Sequence, residues 1–268
     1  MANCGDVPKK SPERKPSLSP TKITTYLACP TKYMWTYVNP RGRYYMRAKS
    51  YFSFGTSLHQ ALQRFYDAGD TGVTTASEAV AALEESWIDS GYETPDQMAD
   101  ALSEGKEILA RHLEAVEQRP PSGKTVFIER QFRHDLGEFV LIGRVDRVDE
   151  LEDGTYRIID YKSGRESVSE DDVRNDIAMS IYQLILSRRF DDRRVEASIV
   201  ALRSGEEATV RLSSAQFAEL EQDLVAIGQE ILRRNWDEMT PVAKPLCERC
   251  DFLPLCRQHP DYEPLLPA

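Results

Sequence analysis

The chain has no run of about eighteen apolar residues, and that lack removes a membrane-spanning helix from its expected architecture. Its opening segment, residues 1–20, is polar and without the apolar core of a signal peptide, so the expected address is cytoplasmic. No internal repeat is present, and no low-complexity block beyond the first eighteen residues. Positive charge is in deficit: a formal net charge of −10 argues against a protein that coats DNA non-specifically. Cysteine is scarce, five in 268 residues, and free thiols in a cytoplasmic chain point to metal binding or redox chemistry rather than structural disulfides. What remains is the composition of an ordinary soluble protein, 41% hydrophobic and 29% charged, long enough for one large domain or one domain with a lid.

The charge is unevenly placed. Residues 1–50 carry ten Lys and Arg against Asp6 and Glu13, a balance of +8 that leaves −18 for the rest. Such polarity lets one region hold a polyanion while another collects cations. Residues 1–18, rich in Pro, Ser and Lys, read as a flexible, solvated leader. Further on, Arg41, Arg43, Arg47 and Lys49 alternate with Tyr44, Tyr45 and Tyr51. Two readings stand for this stretch: cations tracking phosphates with rings stacking on unpaired bases, or aromatics that anchor a loop to the core.

Ser19-Pro20-Thr21 opens a helix through Ile23, Tyr26 and Leu27, with serine as cap and proline in its first turn, and Cys29-Pro30 interrupts or restarts it. A second helix over 54–66 has Leu58, Leu62 and Phe65 on one face and His59 beside that face. Helices over 77–90 and 96–118 hold no catalytic constellation and are expected to wall or cover a site. The pattern then changes to strands over 125–132, 138–149 and 156–161, a helix over 172–189, strands over 195–202 and 208–212, and a helix over 214–235. The expected fold class is α/β, a small mixed β-sheet flanked by helices. The expected division is a leader (1–18), an N-terminal helical region (19–123) with Cys29 and His59, a core (124–239) and a cysteine-bearing tail (240–268).

The stretch from Asp146 to Lys162 organises the rest. Two alternating runs, Gly143-Arg144-Val145-Asp146-Arg147-Val148-Asp149 and Tyr156-Arg157-Ile158-Ile159-Asp160-Tyr161-Lys162, flank an acidic turn at Asp153-Gly154 and read as adjacent strands. With a side-chain period of two, Ile158, Asp160 and Lys162 share one face and Arg157, Ile159 and Tyr161 the other. Composition alone supplies roughly one or two acid-x-Lys triplets, so the context decides. Asp146, on the neighbouring strand, adds a second hard oxygen able to share a divalent cation with Asp160. A solvated Asp–Lys pair is the plainer alternative. Glu129 reads as a strand-edge carboxylate, with a place in the site as its alternative.

Cys247-x2-Cys250-x5-Cys256 is the strongest spacing in the chain. Three cysteines in ten residues make a thiolate metal site, one ligand short of closure, and Cys29 is the natural fourth. One distant cysteine plus a triplet fits a [4Fe–4S] cluster better than zinc, which spacing leaves open, and His259 could replace one thiol. Either metal would clamp the first helix to the last segment.

Taken in order, Leu18-Ser19-Pro20 with Tyr26-Leu27-Ala28-Cys29-Pro30, Gly55-x3-His59, Gly143-Arg144-Val145-Asp146, Ile159-Asp160-Tyr161-Lys162, a Tyr-bearing helix and the cysteine triplet resemble the RecB-like branch of the PD-(D/E)xK nuclease superfamily. Within it, the chain is similar to the iron–sulfur nucleases that include the CRISPR-associated exonucleases and the AddB nuclease domain. The resemblance implies a restriction-endonuclease-like core and Mg²⁺ or Mn²⁺ held by His59, Asp146, Asp160 and the carbonyl of Tyr161. Lys162 would stand beside the attacking water, and Tyr182 and Gln183 would offer DNA contacts. It departs from the family at Ala178, where a Gln usually stands four residues before the Tyr. The implied reaction is metal-dependent exonucleolytic hydrolysis of DNA, on single strands or free ends. The alternative is an end-binding accessory of recombination or CRISPR adaptation with little nuclease activity. Implied partners are DNA, proteins of those processes or a second copy of the chain, with no membrane.

Overall fold

Six strands, β1 (Ser17–Leu18), β2 (Gly123–Asp135), β3 (Val140–Leu151), β4 (Tyr156–Lys162), β5 (Val195–Ala201) and β6 (Glu207–Val210), make one mixed sheet in the computed structural model, which describes residues 15–264. Their order is β1-β3-β4-β5-β6, with β2 pairing β3. β2 runs antiparallel along one edge of β3 from Gly123–Leu151 to Asp135–Val140. The other edge of β3 is shared: β4 pairs antiparallel with Arg147 to Glu150, and β1 pairs parallel with Val140 and Leu141. β4 and β5 are parallel, and their connection carries two helices.

The helices follow from their caps and apolar stripes. α1 (Pro20–Ala28) starts where the Ser19 hydroxyl accepts the Lys22 amide at 3.3 Å. Cys29 ends it and caps α2 (Pro30–Tyr33), which continues as a π-helical turn over Met34–Val38 and a 3-10 turn over Pro40–Tyr44. Then come α3 (Ser50–Tyr66), a single turn α4 (Ala68–Thr71), α5 (Ala76–Glu85), α6 (Pro95–Gln118), α7 (Glu170–Asn175), α8 (Ile177–Arg189), α9 (Ser214–Arg233) and α10 (Leu253–Cys256).

The alternation of β4 divides the interior in two. Ile158 belongs to a buried cluster with Ile23 of α1, Met179, Ile181 and Leu184 of α8, and Leu224 and Ile231 of α9. Ile159 and Tyr161 belong to a second cluster with Leu58 and Leu62 of α3, Leu83 of α5, and Leu109 and Leu113 of α6. Helices therefore cover both faces of the sheet, as the expected class requires.

Three expectations change. Part of the leader lies outside the described residues, but Ser17 and Leu18 form β1, and Leu18 is buried. The helix expected over 172–189 is two, because the Asp176 carboxylate accepts the amides of Ala178 (2.8 Å) and Met179 (3.3 Å) and starts α8 afresh. α5 and α6 do not cover the face that carries Asp160. They pack behind β4, in the layer that contains α3.

Gly143 explains how α8 reaches the sheet. A Cβ there would lie 2.8 Å from the Tyr182 ring and 3.2 Å from Ile185, so only glycine lets the helix approach β3 this closely. Gly143→Ala is expected to lower stability by about 1–3 kcal/mol through overpacking, read as a lower urea midpoint at unchanged slope. An unchanged midpoint would show that Tyr182 moves aside at no cost.

Candidate active site

Pairing between β3 and β4 runs from Glu150–Tyr156 to Arg147–Ile159 and stops. The strands diverge there, and the Asp146 side chain takes over: its Oδ2 accepts the Tyr161 amide hydrogen at 3.0 Å, satisfying a group that the ladder no longer serves. The Tyr161 carbonyl lies 2.9 Å from His59 Nε2, and His59 Nδ1 lies 3.4 Å from Asp146 Oδ2. His59 reaches this fork from α3, whose buried Leu58, Ala61 and Leu62 fix its rotation. Gly55, one turn earlier, allows the helix to approach the end of β4, since a Cβ there would sit 3.2 Å from Ser163 Oγ.

Glu129 also arrives here. In the β2–β3 register Ile128 pairs with Arg147 and Arg130 with Val145, so Glu129 stands opposite Asp146. Its φ of +46° is left-handed, a conformation that costs about 1–2 kcal/mol for an L-residue. Local strain of this kind gathers at functional sites. His59, Glu129 and Asp146 each offer a ligand atom, all within 4.8 Å of one another. Glu129 is thus a site residue rather than a strand-edge carboxylate, and Arg144 Nε holds it at 2.6 Å. Period-two reading misses it because the left-handed residue redirects the side chain.

Asp160 stands outside that triplet, on the opposite face of β4 from the Tyr161 side chain. It is buried, and its Oδ2 pairs with Lys162 Nζ at 2.7 Å. Lys162 Nζ also lies 3.8 Å from Asp176. Behind the fork, Arg147 donates to the Tyr161 hydroxyl (2.7 Å) and to Asp149 (2.9 Å), while its guanidinium covers the Tyr66 ring at 4.0 Å. This buried network fixes Tyr161, whose carbonyl faces His59. A cavity of about 300 Å³ beyond it is lined by Arg147, His112, Tyr66 and Arg119.

The charges at the fork act strongly on one another. Burial alone would lower the His59 pKa, but the Asp146 hydrogen bond and the charges of Asp146 and Asp160 raise it to about 9. Burial, then the Asp146 charge, pushes Asp160 up to about 6 against the opposing Lys162. The same two causes raise Glu129. Burial alone would lower Lys162, but Asp160 outweighs it, so Lys162 stays an ammonium and is no general base. Burial and the nearby carboxylates raise the Tyr182 phenol, which keeps its proton. Carboxylates with raised pKa values around a carbonyl and an imidazole form a donor set of hard oxygens and one nitrogen, which fits Mg²⁺ or Mn²⁺.

The other expected residues are distributed differently. Gln183 is no DNA contact: it is 1% exposed, and its Oε1 accepts the Leu212 amide at 3.1 Å. Tyr182 remains beside Gly143 near the carboxylates. Arg41, Arg43 and Tyr44 are exposed, Arg43 donating to the Tyr44 hydroxyl at 2.7 Å, but none lines the groove of about 830 Å³ that contains His59, Asp146 and Lys162. Tyr51, Phe52 and Arg165 do line it. At the other end, Cys29, Cys247, Cys250 and Cys256 are free thiols. Burial chiefly, with the neighbouring Cys29 and Cys247, raises Cys250, and burial with the other three cysteines pushes Cys256 up to about 11. Lys244 Nζ donates to the Ala28 carbonyl at 2.7 Å, joining the tail to α1.

The His59 and Asp160 shifts act in the same direction. The contribution of His59, raised from 6.5 to about 9, is complete below pH 6.5 and lost as pH rises through about 9. Ionising Asp160, raised from 3.8 to about 6, also costs stability as pH rises through that window. In chelator, the urea midpoint is expected to fall from pH 6.5 to 9, His59→Gln to flatten the fall, and Mg²⁺ or Mn²⁺ to offset it. A flat wild-type profile would contradict this account.

A family model described as the PD-(D/E)XK nuclease superfamily matches residues 17–257. No curated protein matches the chain. Among solved structures, a Eubacterium rectale protein named as a candidate exonuclease aligns over 94% of this chain and 91% of that one, at 15% identity and a TM-score of 0.53. The SSO0001 protein aligns over 92% of this chain and 88% of that one, at 11% identity and a TM-score of 0.35. The likeness to the first is one of fold. The family match takes in all six strands, the fork and the four cysteines, and the chain belongs to the PD-(D/E)XK nuclease superfamily.

Proposed function

We propose that this nuclease is a Mg²⁺- or Mn²⁺-dependent DNA exonuclease of the RecB-like branch that acts in the cytoplasm on single strands or free ends. The observation that carries the proposal is the fork itself, where His59, Glu129 and Asp146 meet within 4.8 Å beside the Asp160–Lys162 pair. A bound cation would acidify water and neutralise charge at the scissile phosphate. Asp146, Asp160, Glu129, His59 and the Tyr161 carbonyl would hold it. Asp146 is already oriented by the Tyr161 amide, and the Arg147 network fixes Tyr161. Lys162, kept protonated by Asp160, would orient the attacking water and stabilise the charge that develops on phosphate oxygens.

The cysteines would hold a [4Fe–4S] cluster. Cys29, Cys247 and Cys250 all act on the Cys256 thiol, so the distant cysteine and the triplet come together, and one distant ligand with a triplet suits a cubane better than zinc.

Purified without oxygen, the protein is expected to be brown, with about four iron and four sulfide per chain. Cys250→Ala should lose both and lower the melting temperature. One zinc and no colour would replace the cluster with a zinc clamp. In Mn²⁺, Lys162→Ala and Asp160→Asn should each reduce nucleotide release from DNA by roughly 10²-fold or more. Wild-type protein that binds single-stranded DNA without releasing any product in Mg²⁺ or Mn²⁺ would instead favour the end-binding accessory, a reading that the Ala178 departure supports.

A further inference from the structure

The first turn of α3 ends in a feature that the metal site does not use. Tyr51 and Phe52 are 63% and 65% exposed, and their ring centroids are 4.4 Å apart at 45°. Single exposed apolar residues are ordinary, but two adjacent rings inside a catalytic groove are not. Both line the groove that contains His59, Asp146 and Lys162. The helix cannot rotate to hide them, because Ser53, Phe54, Ser57 and Leu58 already fill its buried stripe. The turn is also held from outside: Ser53 Oγ donates to the Ser90 carbonyl at 2.7 Å, and Lys49, at the helix cap, pairs with Asp251 at 2.7 Å.

We propose that Tyr51 and Phe52 form a base-stacking subsite that receives unpaired bases of the DNA strand entering the metal site, and so sets a preference for single-stranded or frayed ends. This deepens the nuclease reading and rests on it. Seven residues of helix separate Phe52 from His59, about 10 Å at 1.5 Å per residue. That distance matches about three stacked bases at 3.4 Å each. Between the rings and His59, α3 presents Thr56 to the groove, and Gln60 and Gln63 follow, so the wall is polar but uncharged. Arg144, Lys162 and Arg165 supply positive charge for the backbone. Stacking without charged base contacts is tolerant of sequence. Two rings tilted by 45° cannot both lie flat on one base pair, so the subsite takes splayed bases in preference to a closed duplex end.

The test uses the full chain with its metal centres, an oligodeoxythymidylate, and the same oligomer with abasic residues two to four nucleotides from its end. Tyr51→Ala combined with Phe52→Ala is expected to weaken binding of the intact oligomer about 10-fold or more and to raise KM rather than lower kcat. Tyr51→Trp with Phe52→Trp should restore binding. Abasic substitution should weaken wild-type binding to a similar degree and add nothing in the double alanine variant, the coupling expected of groups in contact. Intact binding in the double alanine variant, or full additivity of the two changes, overturns the subsite while leaving the nuclease intact. Wild-type protein that neither binds nor cleaves DNA overturns the nuclease reading itself, and the subsite with it.

Discussion

The structure depends on the point where β3 and β4 part. A sheet that continued past Arg147–Ile159 would pair the backbone of Tyr161 with β3 and leave no opening for a metal or a phosphate. Instead the Asp146 carboxylate accepts the Tyr161 amide hydrogen, so one side chain both ends the ladder and begins the site. The free carbonyl of Tyr161 then meets His59 at 2.9 Å. A buried backbone group without a partner costs free energy comparable to a lost hydrogen bond, and this arrangement leaves neither polar group of Tyr161 without one.

Holding the fork open concentrates like charge. Glu129, Asp146 and Asp160 converge where burial already opposes ionisation, and the raised pKa values of Glu129 and Asp160 register that conflict. Arg144 beside Glu129, Lys162 beside Asp160 and a protonated His59 beside Asp146 answer it. A divalent cation would take over the part of the imidazolium, and in doing so would displace the proton of His59. The Arg147–Asp149 pair on the other side is different in kind. It is buried, internally neutral and bound to Tyr161 and Thr125, so it braces the strand without drawing on the site's charge.

The alternation over 156–162 is enough to sort Ile158 from Ile159 and Tyr161, because one residue of slip would exchange the two faces and their two cores. His59 is legible by its place beside an apolar helix stripe, and the layered α/β class by the order of its elements. Glu129 is not, since a residue at φ +46° breaks the period on which strand reading relies. Gln183 misleads for a related reason. Its position on α8 suits a substrate contact, yet the loop after β6 leaves the Leu212 amide in need of an acceptor, and tertiary context assigns the side chain there. β1 is two residues long, too short for any pattern to announce it.

The two ends of the chain bear on the groove through one short path. Cys29 lies between α1 and α2, and Cys250 is followed directly by Asp251, whose carboxylate accepts the Arg47 amide at 3.3 Å and pairs with Lys49. Lys49 is the cap of α3, the helix that carries the exposed ring pair at its start and His59 two turns later. A metal centre that gathers the four cysteines would therefore restrain more than the termini. It would fix the origin of the helix that sets how far the aromatic edge of the groove stands from the carboxylates. Closing so long a loop removes much chain entropy, and the constraint falls on an element that the substrate would have to pass. On this geometry, losing such a centre would loosen α3, with the ring pair and His59 that it carries, while Asp146, Glu129 and Lys162 would keep their places on the sheet.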